Sequence, residues 1–445
     1  MLMLSKMMLA LAVLSPLAQA DNALVQLKLR QRAEIMKHAA RPLHQSRDKE
    51  ESNLQTPAYF LDLQVNELRT NLNFLQQVNH VDISAPYWSG YYWPNYVGGL
   101  GYRYNDNYFP KGQWYNSLNY VKARPSSGVS LDLLSPSEKY DLAMGVSPEE
   151  VGSLTTQQWN LARAEYKDTR KVETWQGICN GWAAASITLP TPLHPVVIPS
   201  ARGDLTFQTE DIKALGSLLF AAGQFESVFN GFRCDEEEPS GDGAHSDKPE
   251  CFDINPADWH LLVLHQIGMA RRPFIIDYIQ SKEVWNKPVV GFDVTYFNIK
   301  SRGEKSQDFR EVVQPAKRVI KYRRTRSPKA AFMVGVNMQT KLLFGANEDS
   351  HVGQTLKSVE YVYFLELDAA YNIVGGEWET ENHPDFAWRP KLALQPGTPG
   401  DALVHELGLE GAYANPTWRQ AALLGDRIGS PLPKFVSDLF FKSSN

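Results

Sequence analysis

Cys179 is the side chain with the strongest claim to chemistry. It sits in Trp175-Gln176-Gly177-Ile178-Cys179-Asn180-Gly181-Trp182, ahead of Ala183-Ala184-Ala185-Ser186. The alanine run favours helix, and Gly177 marks a break before it. Cys179 is therefore expected at or near a helix N-terminus. Free N–H groups and the helix dipole there favour a thiolate and can hold an oxyanion. The other two cysteines, Cys234 and Cys251, flank an acid-rich segment with little to fold around. A disulfide between them would restrict the unfolded chain by roughly 3 kcal/mol and leave Cys179 as the odd thiol. The acids lack the alternating ligand spacing of a calcium loop and read as a solvated loop. Locally, an inert buried cysteine fits as well as a nucleophile, so the partners decide.

A thiol nucleophile needs an imidazole within hydrogen-bond reach and a third group to fix the ring. His260 and Asp277 are the candidates. The favoured reading of this stretch is a β-hairpin, its first strand opening at His260 and its second closing at Asp277, which would set the two side by side. The strand-like Phe274-Ile275-Ile276 supports it. The competing reading is a helix: Asn255-Pro256 resembles a cap with proline in the first turn, and Trp259, Leu262, Val263 and Ile267 share a helical face. His265, among aliphatics, reads as a core histidine. His383, in Asn382-His383-Pro384-Asp385, reads as a turn residue with a secondary claim to the base.

The elements that must position these groups belong to a chain of 445 residues, 43% hydrophobic and 21% charged, enough to bury a core. A formal charge of −5 gives no electrostatic case for nucleic acid. Residues 1–20 read as a secretory signal: Lys6, then an apolar stretch too short to span a bilayer, then Ala18-Gln19-Ala20. Nothing later suggests a membrane anchor, so a secreted, extracellular or periplasmic protein is expected. Residues 21–80 look mainly helical, with amphipathic runs at 23–38 and 59–78, and could serve as a pro-segment. Of the 34 residues 87–120, 13 are aromatic; the stretch reads equally as a substrate groove, a sugar-stacking surface or an irregular core. Helices are expected to start at Ser135-Pro136-Ser137-Glu138 and to cover 155–166. Strands are expected at 290–299, 318–324, 331–338 and 359–367, the last paired with 373–379 through a turn at 368–372. Residues 317–326 read as a solvated basic strand face and 396–400 as a linker.

Four stretches carry a family resemblance. They are Pro86-Tyr87-Trp88-Ser89-Gly90-Tyr91-Tyr92-Trp93-Pro94 with Gly98-Gly99 and Tyr102-Arg103-Tyr104, the Cys179 segment, Glu283-Val284-Trp285-Asn286-Lys287-Pro288-Val289-Val290-Gly291-Phe292, and Leu365-Glu366-Leu367-Asp368 with Asn372-Ile373-Val374-Gly375-Gly376-Glu377-Trp378. Together the chain resembles the transglutaminase elicitors secreted by Phytophthora-type oomycetes, with relatives in marine bacteria. The third stretch is the most specific, and departs from the family at Lys287, Val290 and Asp293.

The resemblance implies an α+β fold: a papain-like cysteine-enzyme core over 81–300, preceded by the helical region 21–80 and followed by a β-rich C-terminal domain and tail over 301–445. It implies Cys179, His260 and Asp277 as nucleophile, base and orienter, with Asn286 as the fallback orienter and Gln176 a weak oxyanion donor. Calcium dependence also follows from the family; no ligand set for it is visible here. The implied activity is transglutaminase, joining a protein glutamine to a lysine or other amine through a cysteine thioester. A glutamine deamidase and a papain-like protease share that acyl-enzyme. From another class, a carbohydrate-binding surface protein with an inert Cys179 is the rival.

Overall fold

The structure is a computed structural model describing residues 57–445, except 111–117, 224, 232–252, 280–282, 321–322, 324–325, 346–353, 381 and 392–396. The signal segment, the helix expected at 23–38 and the Cys234–Cys251 pairing with its acidic loop lie outside the described residues. Among the described residues the strands are β1 (His80–Asp82), β2 (Val196–Ser200), β3 (Gly203–Phe207), β4 (Ser227–Gly231), β5 (Phe274–Asp277), β6 (Asn286–Phe297), β7 (Lys305–Ser306), β8 (Gln314–Pro315), β9 (Phe332–Phe344), β10 (Thr355–Leu367), β11 (Ile373–Trp378) and β12 (Phe386–Pro390). The longer α-helices are α1 (Pro136–Ala143), α2 (Leu154–Thr169), α3 (Cys179–Thr188), α4 (Thr209–Ala222), α5 (Pro256–Leu262), α6 (Pro416–Asp426) and α7 (Pro433–Ser444).

Ten of these described strands form one sheet in the order β11-β10-β9-β6-β5-β12-β4, with β1 and β7 added on β6 and β8 on β9. Its backbone is the apolar alternation of β6, β9 and β10. β9 and β10 pair along their whole length, from Thr355 opposite Phe344 to Leu367 opposite Phe332. The expected turn follows: the Asp368 carboxylate accepts the Ala370 and Asn372 N–H groups, each at 2.8 Å, before β11 returns. Asx capture of this kind fixes a tight reversal without help from distant residues. The mixed α+β class is as expected. The division at residue 300 is not: β6 pairs with β9 and β5 with β12, so the sheet runs continuously across that boundary. The C-terminal part is not uniformly β-rich either. It ends in α6 and α7, and Phe435 packs its ring 5.4 Å from Tyr140 of α1.

Two helix starts match their sequence signals. Ser135 closes a capping box with Glu138 ahead of α1, and the Ser153 side chain accepts the Thr156 N–H ahead of α2. Two expectations fail. Residues 59–78 are not one amphipathic helix but short turns of helix and 3-10 helix. They are stitched to the sheet: Leu72 N–H donates to Tyr371 O and Ile373 N–H to Thr70 O, both at 2.9 Å, and the Phe60 carbonyl accepts two bonds from Arg389. Where a strand was expected to begin at 318, Ala316–Arg318 form a 3-10 turn, held by the Arg326 guanidinium on the Ala316 and Val319 carbonyls; most of the rest of the expected strand lies outside the described residues.

The sheet separates two apolar cores. Ile275, Val290, Leu343 and Trp388 face the first, with α3 and α4. Their chain neighbours Phe274, Ile276, Val289, Leu342 and Ala387 face the second, with α5. Alternation along a strand sends successive side chains to opposite faces, so α3 and α5 cover opposite sides.

Candidate active site

Cys179 is the first residue of α3, as its sequence setting implies. Gly177 allows this placement. A Cβ there would lie 2.4 Å from the Tyr92 carbonyl, and the close approach lets the Ile178 N–H donate to that carbonyl at 2.7 Å. Gly181 plays a similar part on the inner face, where a Cβ would lie 2.1 Å from the Ser217 carbonyl of α4. The helix start is thus clamped between the aromatic segment and α4. The aromatic stretch divides. Trp88, Trp93, Tyr102, Tyr104 and Phe109 are buried in the first core, while Tyr92 is half-buried and packs edge-on against Trp285, 5.5 Å between centroids.

The β5–β6 hairpin brings the other polar groups to Cys179. Asp277 and Asn286 are opposite one another at the end next to the connecting loop. The Asp277 carboxylate accepts the Trp285 N–H at 2.8 Å, which sets the turn of backbone leading into β6. The Asn286 side-chain amide nitrogen lies 3.5 Å from the Cys179 sulfur, and its carbonyl oxygen accepts the Trp388 indole N–H at 2.7 Å. Trp388 therefore fixes which end of the Asn286 amide faces the thiol. It is itself held flat against Phe229, 5.9 Å between centroids. On its other side the thiol lies 3.5 Å from the Val284 carbonyl.

His260 is not part of this constellation. The segment expected to open a hairpin is α5, capped by the Asn255 side chain on the Ala257 N–H at 2.8 Å and continued by a π-helical turn, Val263–Met269. β5 finds its partners in β6 and β12 instead. His260 is wholly buried in the second core, across the sheet from α3, with Nδ1 2.7 Å from the Tyr363 hydroxyl. Among the described residues its Nε2 has no hydrogen-bond partner, and burial pulls its pKa down to about 3. Such a ring is neutral in any ordinary buffer. Its neighbour Asp258 is also buried, and its carboxyl is pushed well above the usual carboxylate range.

The competing histidines lie elsewhere. His265 bonds the Arg69 carbonyl at 2.9 Å, as a core histidine would. His383 is buried rather than in an open turn, 2.9 Å from Asp253 and stacked on Trp378. Gln176 lies against the Glu165 carboxylate, its amide nitrogen 3.0 and 3.2 Å from the two oxygens, and Thr169 to Glu173 close around them. No imidazole is within hydrogen-bond distance of Cys179 among the described residues.

The sequence reading missed Trp388, 102 positions from the residue it orients, and the setting of Lys287. That lysine is 6% exposed. Its ammonium lies 4.8 Å from the Phe344 ring centroid, 5.2 Å from Trp182, 5.4 Å from Trp285 and 5.9 Å from Tyr278. Metal ligands are not evident: among the described residues no three His, Cys, Asp or Glu side chains converge on a point that could hold an ion.

Cys179 thus stands at a helix start, faced by the amide of Asn286, in a mixed helix-and-sheet fold. The chain belongs to the transglutaminase elicitor family, which it matches over residues 58–416. Its fold is similar to the crystal structure of the GP42 transglutaminase from Phytophthora sojae, at 21% identity and a TM-score of 0.52, covering 83% of this chain and 97% of that one. No curated protein matches the chain. Among the described residues no helix is long and apolar enough to cross a membrane.

Proposed function

We propose that the protein is a secreted protein-glutamine γ-glutamyltransferase with Cys179 as its nucleophile. The observation that carries this reading is the amide of Asn286, oriented by Trp388 and aimed at a thiol on the first residue of α3. The Cys179 thiolate attacks the carboxamide carbon of a substrate glutamine, and the N–H groups at the start of α3 receive the oxyanion. The C–N bond breaks, ammonia leaves with one added proton, and a thioester remains. A lysine ε-amine then attacks the thioester, loses a proton and releases the thiolate, giving an isopeptide bond. Asp277 acts through the backbone: by holding the Trp285 N–H it sets the position of Asn286. Tyr92, whose carbonyl accepts the Ile178 N–H, packs on Trp285, and the two rings suit the task of keeping water from the thioester. Secretion rests on residues 1–20.

The test is incorporation of a biotinylated amine into casein, with ammonia release measured in parallel, for wild type and Cys179→Ala, with calcium or a chelator. Incorporation is expected for the wild type and at background in the variant. Ammonia without incorporation would make the protein a deamidase, and cleaved casein would make it a protease. Unchanged incorporation in Cys179→Ala would remove the nucleophile assignment.

A further inference from the structure

We propose that Asn286 is a catalytic residue of this site: its side-chain amide nitrogen donates a hydrogen bond to the oxyanion that forms on the substrate carbon when Cys179 attacks. The inference rests on reading Cys179 as the nucleophile. An asparagine beside a thiol nucleophile has two roles open to it. It can fix an imidazole through its carbonyl oxygen, or it can give an N–H to the reacting group. The first is closed here. Oδ1 already accepts the Trp388 indole N–H at 2.7 Å, and no imidazole is within hydrogen-bond distance of Cys179 among the described residues. What faces the sulfur is Nδ2, at 3.5 Å. Among the described residues this is the one bond Nδ2 makes, and a thiol sulfur is a weak acceptor. Asn286 is 4% exposed, so the amide is shielded from bulk water. A buried donor kept on so weak a partner is a cost to the resting protein, and an arriving anion relieves it.

The oxyanion sits on the carbon that has just bonded to sulfur, one atom removed from Sγ. At 3.5 Å the amide nitrogen is farther from Sγ than the roughly 2.9 Å of an N–H···O bond, and it is placed to shorten onto that oxygen. The second donor comes from the start of α3, whose first N–H groups have no intrahelical acceptor. In the step itself the thiolate electron pair forms the S–C bond and the C=O π pair moves onto oxygen. Collapse returns that pair, breaks the C–N bond and releases ammonia carrying the proton the thiol gave up. The same donors serve the second half-reaction, in which an amine adds to the thioester carbon. Because the charge exists only around the tetrahedral states, the bond strengthens at the barrier and not on the bound glutamine. Its aim is held from two sides. Trp388, stacked on Phe229, fixes the amide, and Asp277, opposite Asn286 in the hairpin register, holds the Trp285 N–H just before it.

The experiment compares full-length wild type with Asn286→Leu, a near-isosteric change that removes the donor, with folding checked by circular dichroism. Three readings are taken: amine incorporation kinetics, Cys179 alkylation by iodoacetamide, and inhibition by a peptide whose glutamine carboxamide is replaced by an aldehyde. The aldehyde adds to the thiol and places an oxygen where the oxyanion would stand, without turnover. Alkylation displaces iodide and builds no oxyanion; Cys179→Ala sets its background from the other two cysteines. Asn286→Leu is expected to lower kcat about a hundred- to thousandfold and to weaken the aldehyde by a similar factor. Its KM for the glutamine substrate and its alkylation rate should stay within about threefold of wild type. Should Asn286→Leu fail to fold, Asn286→Leu with Trp388→Phe, which leaves no indole N–H stranded, carries the test. Aldehyde inhibition unchanged in a folded variant would overturn the proposal. So would alkylation slowed as much as acyl transfer, which would place Asn286 on the thiol and not on the oxyanion. A wild type that is neither alkylated at Cys179 nor inhibited would remove the nucleophile, and this role with it. Asn286-dependent aldehyde inhibition without amine incorporation sustains the role while refuting the transglutaminase.

Discussion

Replacing His260 with leucine separates a structural imidazole from a catalytic one. His260 is 0% exposed, and its pKa is drawn from 6.5 to about 3 by burial. In the unfolded chain the ring takes up a proton near pH 6.5; in the folded protein it does not until about pH 3. Its contribution to stability is therefore complete above 6.5 and is lost as the pH falls through the window between. Each pH unit in that window costs about 1.4 kcal/mol. From pH 7.5 to 4.5 the wild type should lose roughly 2.5 kcal/mol more than His260→Leu, which has no ring to protonate. At pH 7.5 the substitution removes one hydrogen bond to Tyr363 but also an unpartnered ring nitrogen. The net change there should fall within about 1.5 kcal/mol. Urea unfolding followed by tryptophan fluorescence at the two pH values measures both quantities. Amine incorporation by the folded variant should stay within about threefold of wild type, because the sheet stands between His260 and Cys179. A folded His260→Leu protein with activity down a hundredfold would refute that separation, and equal acid sensitivity in the two proteins would refute the neutral buried ring.

Two further substitutions probe the site and the fold. Trp388→Phe removes the N–H that orients Asn286 while keeping most of the stack on Phe229. It should lower kcat ten- to hundredfold and cost about 1–3 kcal/mol of stability, read by steady-state kinetics and thermal melting; an unchanged kcat would deny Asn286 its role. Asp426 is buried near Asp141, and burial drives its pKa well above the ordinary value while Asp141 rises to about 8. Such acids are fully tolerated below their unfolded value of 3.8 and destabilise the fold as the pH climbs from there toward 8. Asp426→Asn should therefore gain stability relative to wild type between pH 5 and pH 8, by up to about 1.4 kcal/mol per unit, and a constant difference across that range would contradict the assignment.

The parts of the fold legible in the sequence were those written in neighbouring residues. The Ser135–Glu138 box, the Asp368–Asn372 reversal and the helix start at Cys179 each draw their geometry from a few adjacent side chains. At residues 256–269 the correct local signals were also present, since Asn255 caps and Pro256 opens α5. They were outweighed by the strand character of Phe274-Ile275-Ile276, whose partners lie in β6 and β12. Period alone did not reveal that β5 had a better neighbour than the segment just before it. The same limit hid the rest of the site. Asn286 was visible only as a fallback, because what fixes it is an indole from β12, and the cage around Lys287 draws on residues from 182 to 344. Contacts of that range leave no mark in local pattern.

The stitching of residues 57–80 to the sheet has a consequence for how the chain tolerates being cut. Phe60, Leu72 and Leu75 fill the second core, and β1 adds to the edge left free beside β5. A protease that cuts ahead of Pro57 removes none of these contacts. One that cuts just after β1 turns the segment into a peptide ligand of its own protein, and integrity then depends on dilution, since an intramolecular contact has become a bimolecular one. Loss of the peptide would uncover the apolar face against which it packs. Any processing that preserves these contacts therefore ends before Pro57, and residues 57–80 are part of the folded unit.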